Sequence, residues 1–86
     1  MAYDDYERNV EDLSENIQSL FLRDSNDTLT VTYKNGTETV YDCPEIVTFS
    51  HRFVLSCDDA YNTSDNSIIE NLVQQWLSDG KLTTSS

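Results

Sequence analysis

The stretch Thr28-Leu29-Thr30-Val31-Thr32-Tyr33-Lys34-Asn35-Gly36-Thr37-Glu38-Thr39-Val40-Tyr41 decides the fold. Its first six residues alternate apolar with polar and are rich in β-branched and aromatic side chains, the pattern of a half-buried strand. A second run of the same kind follows Asn35-Gly36, two residues that tolerate the positive φ of a tight hairpin turn. A two-residue turn at 35–36 sets Val31 opposite Val40 and Tyr33 opposite Glu38. Leu29, Val31, Tyr33 and Val40 then share the buried face, and Thr28, Thr30, Thr32, Thr39 and Tyr41 the polar one.

Upstream of the hairpin, Tyr6, Val10, Leu13, Ile17 and Leu20 step by four, three, four and three. That spacing predicts an amphipathic helix over 4–22, with Asp4, Asp5, Glu7, Glu11, Asp12 and Glu15 on its outer face. Residues 24–27 read as a loop. Downstream, Asp42-Cys43-Pro44-Glu45 reads as a turn, and Val47, Phe49, Phe53 and Leu55 share one strand register over 46–57, with His51 among them. Two forms of this segment stay open: one strand bent near Ser50–Arg52, or a hairpin centred on Ser50 that brings Cys43 and Cys57 face to face. Residues 58–66 read as a polar loop. Ser67 and Glu70 have the spacing of a capping box, and Ile68, Ile69, Leu72, Val73, Trp76 and Leu77 make the apolar face of a second helix that ends at Gly80. Residues 81–86 read as a frayed tail. The expectation is a single α+β domain over 1–86: a two-layer α-β-β-β-α arrangement, its three-stranded antiparallel sheet covered on one face by two amphipathic helices.

Sixteen acids against five bases in 86 residues give a net charge of −11 and a pI near 4.1. Five scattered bases cannot replace counterions along phosphate, so direct binding to nucleic acid or to an anionic membrane is excluded as the main activity. Two glycines leave no glycine-rich phosphate cradle. With 37% apolar residues in periodic patterns, the chain has the material for a core that a disordered acidic chain lacks. An acidic start with no basic-then-apolar leader and no long apolar run points to the cytoplasm, and there to free thiols at Cys43 and Cys57.

The residues offer no catalytic set. His51 is the only histidine. Two cysteines and one histidine fall short of a zinc site, and 58–66 lacks the central glycine and terminal Glu of a calcium loop. We therefore expect no enzyme, metal or cofactor. The acids are the unusual feature. On a helix, Glu7, Glu11 and Glu15 stand about 6 Å apart, and with Asp4, Asp5 and Asp12 they form a row that can enter a groove built for nucleic acid. Tyr3, Tyr41 and Tyr61 are the candidate aromatic anchors beside it. Asp24, Asp27, Asp58, Asp59 and Asp65 are the fallback site in the loops.

In size, charge and helix–hairpin–helix organisation the chain resembles two groups of small acidic inhibitors. One is the phage-encoded DNA-mimic proteins, including many anti-CRISPR proteins. The other is the immunity proteins of nuclease bacteriocins, whose last helix Ile68-Ile69-Glu70 to Gln75-Trp76 resembles. The first resemblance implies an inhibitor acting in the host cytoplasm. It would bind a basic, nucleic-acid-binding surface of a host defence enzyme, a CRISPR effector or nuclease, as a DNA or RNA mimic. The alternatives are an immunity or antitoxin protein, and a structural or assembly module that pairs through its sheet edge.

Overall fold

The computed structural model describes residues 5–84. The elements are β1 (Tyr6–Asn9), β2 (Ile17–Arg23), β3 (Thr28–Tyr33), β4 (Glu38–Asp42), α1 (Ile46–Thr63), α2 (Ile68–Ser78) and β5 (Thr83–Thr84). The five strands make one antiparallel sheet in sequence order, and α1 and α2 close one of its faces. The α+β class stands, and of the two expected helices the second does. The sheet has five strands rather than three, the expected first helix is a hairpin, and the expected third strand is a helix.

The segment 4–22 imitates a helix because of a bulge. Ile17 pairs with Tyr33, but Ser19 pairs with Thr32, so β2 carries one extra residue between them. The bulge breaks the two-residue period. Ile17, Leu20 and Leu22 all point inward, and the gap of three between the first two reads as helical spacing. Turn-forming side chains make the connection to β1: the Asn9 carboxamide oxygen accepts from the Glu11 amide at 2.9 Å, and buried Ser14 Oγ accepts from Ile17 N at 3.3 Å.

The hairpin of β3 and β4 lies where expected, with its register shifted by one. Tyr33 N donates to Thr37 O at 2.8 Å and Gly36 N to Tyr33 O at 3.0 Å, so the loop is the three residues Lys34-Asn35-Gly36, with Gly36 at φ +91°. This is a turn closed by a glycine bulge rather than a two-residue turn. Val31 therefore faces Thr39, and Leu29 faces Tyr41. Tyr41 is buried in the core, and Val40 lies on the open face, 39% exposed, the reverse of the expected assignment.

In α1, Ile46, Phe49, Phe53, Cys57 and Ala60 are buried, a spacing of three, four, four and three. Phe49 and Phe53 are four apart and so fit a strand register as well as a helix. The helix wins because it also buries Ile46 and Ala60 and turns Val47 and Leu55 outward, which a strand in that register does not. Neither form expected for 46–57 occurs, and Cys43 and Cys57 are free, buried thiols. The rings of Phe49 and Phe53 stack at 6.3 Å, and Trp76 of α2 meets Phe49 edge-on at 5.0 Å.

The capping box does not form. Ser67 Oγ donates to Asp65 at 2.6 Å, and Glu70 accepts from Asn16 Nδ2 at 2.7 Å. The glycine stop does form: Gly80 has φ +73°, its amide donates to Leu77 O, and the Lys81 amide donates to Trp76 O. The Lys81 ammonium lies 5.1 Å from the centre of the Trp76 ring, and Leu82 is buried. Residues 81–84 are thus part of the fold rather than a frayed tail.

Candidate functional site

The meander sorts the acids by end. Strands alternate in direction, so loop 10–16, hairpin loop 34–36 and the α1–α2 turn 64–67 gather at one end of the sheet. Three hydrogen bonds tie them together: Glu15 N to Asn66 O at 3.3 Å, Lys34 N to Asn16 O at 2.9 Å, and Asn16 Nδ2 to Glu70 Oε1 at 2.7 Å. Glu11, Asp12, Glu15, Asp65 and Glu70 all belong to this end, the first four of them exposed. The hydroxyl and amide of Ser67 hold the Asp65 carboxyl below its ordinary range.

Lys34 enters this end from the hairpin loop, and it does not neutralise a carboxylate. Lys34 Nζ donates to the main-chain oxygens of Glu11 at 2.9 Å and Ser14 at 2.7 Å. Among the described residues the one ion pair is Arg23–Asp5 at 3.7 Å, at the other end of β1. The loop carboxylates therefore face solvent with their charge intact.

The predicted acidic row is broken up. Glu11, Asp12 and Glu15 are together in the loop. Glu7 pairs across from Phe21 on the open face of the sheet, and Asp5 is held by Arg23 and Ser25. Asp4 and Tyr3 lie outside the described residues. The helical ladder of carboxylates with a 6 Å repeat does not exist, because no helix carries it. Tyr41 is removed as an anchor by burial, while Tyr61, on α1, is 77% exposed. Of the fallback acids, Asp65 joins the acidic end, and Asp24 and Asp27 sit at the opposite end. Asp58 and Asp59 lie in α1, not in a loop.

The histidine and the two cysteines differ in exposure. His51 is exposed on α1, while Cys43 and Cys57 are buried. Burial pushes the Cys43 thiol up to about 11 and raises that of Cys57, the opposite of nucleophile activation. No cluster among the described residues could hold a metal ion, and no helix there is long and apolar enough to cross a membrane. A groove of about 330 Å³ runs between α1 and α2, with Arg52 and Lys81 on its walls beside Trp76 and Asp79. Sequence reasoning missed it because it requires 46–57 to be a helix. Compared with protein-family models, curated proteins and solved structures, the chain finds no match.

Proposed function

We propose that this chain is a non-enzymatic inhibitor whose acidic end occupies a basic, nucleic-acid-binding surface of a partner protein, as DNA-mimic and anti-CRISPR proteins do on host defence enzymes. The observation that carries this reading is the treatment of Lys34. The only lysine at that end is spent on two main-chain oxygens, so Glu11, Asp12, Glu15 and Asp65 keep their charge available to a partner. Opposite charge steers such an encounter and raises its on-rate. The five-stranded sheet favours this over the helical immunity proteins. Among the described residues β1 is an edge strand, which supports a second reading, an assembly module that adds a partner strand. That edge is four residues long and carries Glu7 and Arg8, the kind of charge that discourages pairing.

The test compares two neutralised variants of equal charge. Glu11→Gln, Asp12→Asn and Glu15→Gln act at the acidic end; Asp24→Asn, Asp27→Asn and Asp42→Asn act at the other. Basic proteins retained from a host lysate are identified by mass spectrometry and challenged with DNA or RNA. The first variant should lose retention mainly through slower association, and the second should keep it. Retention should fall as the screening length shortens from about 8 Å at about 0.15 M salt to about 3 Å at about 1 M. Equal loss in both variants, or retention indifferent to salt, would refute the proposal.

A further inference from the structure

Six large apolar side chains are exposed among the described residues: Tyr6, Val40, Val47, Val54, Leu55 and Tyr61. Four of them lie on α1. Val47, Val54 and Tyr61 are spaced by seven, two helical turns, so they form a single stripe about 21 Å long, with His51, Leu55 and Asp58 beside it. The buried residues of α1 occupy another face, and the groove residue Arg52 lies toward α2, so the stripe runs along the flank away from α2. Tyr6 borders that flank, its ring 6.4 Å from Phe53. Scattered exposed apolar residues are ordinary; their concentration on one helix face marks an interaction surface.

The charge distribution favours a second copy of this chain as its cover. Residues 46–57 hold no acid and one arginine, so the rest of the chain sums to −12. The first three turns of α1 are therefore where two copies of this chain can approach without setting carboxylate against carboxylate. The surface is also self-complementary, as a two-fold contact requires. An antiparallel pairing centred on Val54 and Leu55 sets Val47 against Tyr61 of the second copy and His51 against Asp58 of the second copy. Each relation repeats on the other side of the axis.

We propose that the α1 flank is a homodimer contact, formed by antiparallel pairing of two α1 helices about Val54 and Leu55. One helix face is small beside a standard interface, so the dimer is weak and exchanges readily. Its salt response is distinctive. Two bodies of charge −11 repel, and that repulsion is screened as the Debye length falls from about 30 Å at about 0.01 M to about 8 Å at about 0.15 M. Dimerisation therefore strengthens with salt, whereas capture of a basic partner weakens.

Sedimentation equilibrium from about 10 μM to about 1 mM, at low and moderate salt, tests the proposal. The expected result is reversible monomer–dimer association that tightens with salt. Leu55→Glu should weaken it at least about tenfold, because the new carboxylate meets its own copy across the axis. Val40→Glu makes the same change of charge on the open face of the sheet and should leave it within about twofold. Both sites are exposed, and circular dichroism confirms that each variant keeps its helices. His51→Asp should weaken association, and His51→Asp with Asp58→His should restore it. A wild-type chain that stays monomeric throughout, or equal effects of Leu55→Glu and Val40→Glu, overturns the proposal. Partner capture by the acidic end can survive or fail independently, since Leu55 is not part of it.

Discussion

Replacing Lys34 by Met tests how the acidic end is held. The side chain reaches from the β3–β4 loop to loop 10–16 and donates to Glu11 O at 2.9 Å and Ser14 O at 2.7 Å. A hydrogen bond involving a charged group contributes about 1.5–3 kcal/mol, less where water competes. The partly buried bond takes the lower end, about 1.5 kcal/mol, and the exposed one about 0.5 kcal/mol, so the two together contribute about 2 kcal/mol. Methionine keeps the stem and removes the donors. For a domain of this size each kcal/mol moves the melting temperature by about 4–8 °C, so the variant should melt about 8–16 °C lower, with the urea m-value unchanged. Hydrogen exchange should accelerate at Glu11 to Asn16 before it does in β3. The acceptors are main-chain oxygens, so Glu11→Gln should leave stability essentially intact. A loss below about 0.5 kcal/mol in Lys34→Met would mean that water replaces the ammonium at no cost. An equal loss in Glu11→Gln would mean that the contact is an ion pair. Either result refutes the reasoning.

Two further outcomes are expected. Gly36→Ala should cost about 1–2 kcal/mol in urea titration, purely from the backbone, since φ is +91° and a Cβ there meets nothing within 4 Å; Gly36→Asn should cost less. Burial raises Cys43 from 9.0 to about 11 and, with the Tyr41 hydroxyl, raises Tyr33 from 10.0 to about 12. Both groups keep their protons better in the folded state, so their contribution is whole below pH 9 and is lost as pH rises through about 11 and about 12. Thermal melts across that range should show the decline, and iodoacetamide at pH 8 should label both thiols only after denaturation.

The hairpin was legible because Asn35-Gly36 is local chemistry, and α2 because its apolar stripe ends at a glycine that meets the left-handed position. What misled was periodicity with two solutions. In β2 the extra residue between Ile17 and Ser19 produces a spacing of three that a helix also produces. The correct signal lay in Asn9, Asp12, Ser14 and Asn16, turn formers inside the supposed helix. In α1 the strand-favouring Val47, Thr48, Phe49 and Val54 outweighed the burial spacing, and tertiary packing of Phe49 against Phe53 and Trp76 reversed the local preference. The one-residue register shift followed from loop length, three residues instead of two, and it exchanged the roles of Val40 and Tyr41.

Moving the acids from a helix to a loop changes what the inhibitor reading requires. A helical ladder would hold its carboxylates at fixed intervals without assistance; a loop must be immobilised before its charges can present a defined pattern. Ordering a free loop at the moment of binding consumes part of the interaction energy, and a loop already ordered avoids that loss. Here the ordering is internal. Ser14 is buried beneath the loop, Lys34 grips two of its carbonyls, Asn16 bridges to Glu70, and Glu15 bonds to the α1–α2 turn. None of these contacts consumes the carboxylates of Glu11, Asp12 or Glu15. The arrangement separates holding from presenting: the Lys34 ammonium, main-chain groups and the Asn16–Glu70 bond do the first, the free carboxylates of Glu11, Asp12 and Glu15 the second. Loosening the hold through Lys34→Met, with every acid still in place, should therefore weaken partner retention as well as stability. Neutralising the acids should weaken retention while leaving stability equal or higher, because repulsion falls. If Lys34→Met lowers stability but leaves retention unchanged, the pattern of the carboxylates is irrelevant. The chain would then act through its overall charge alone.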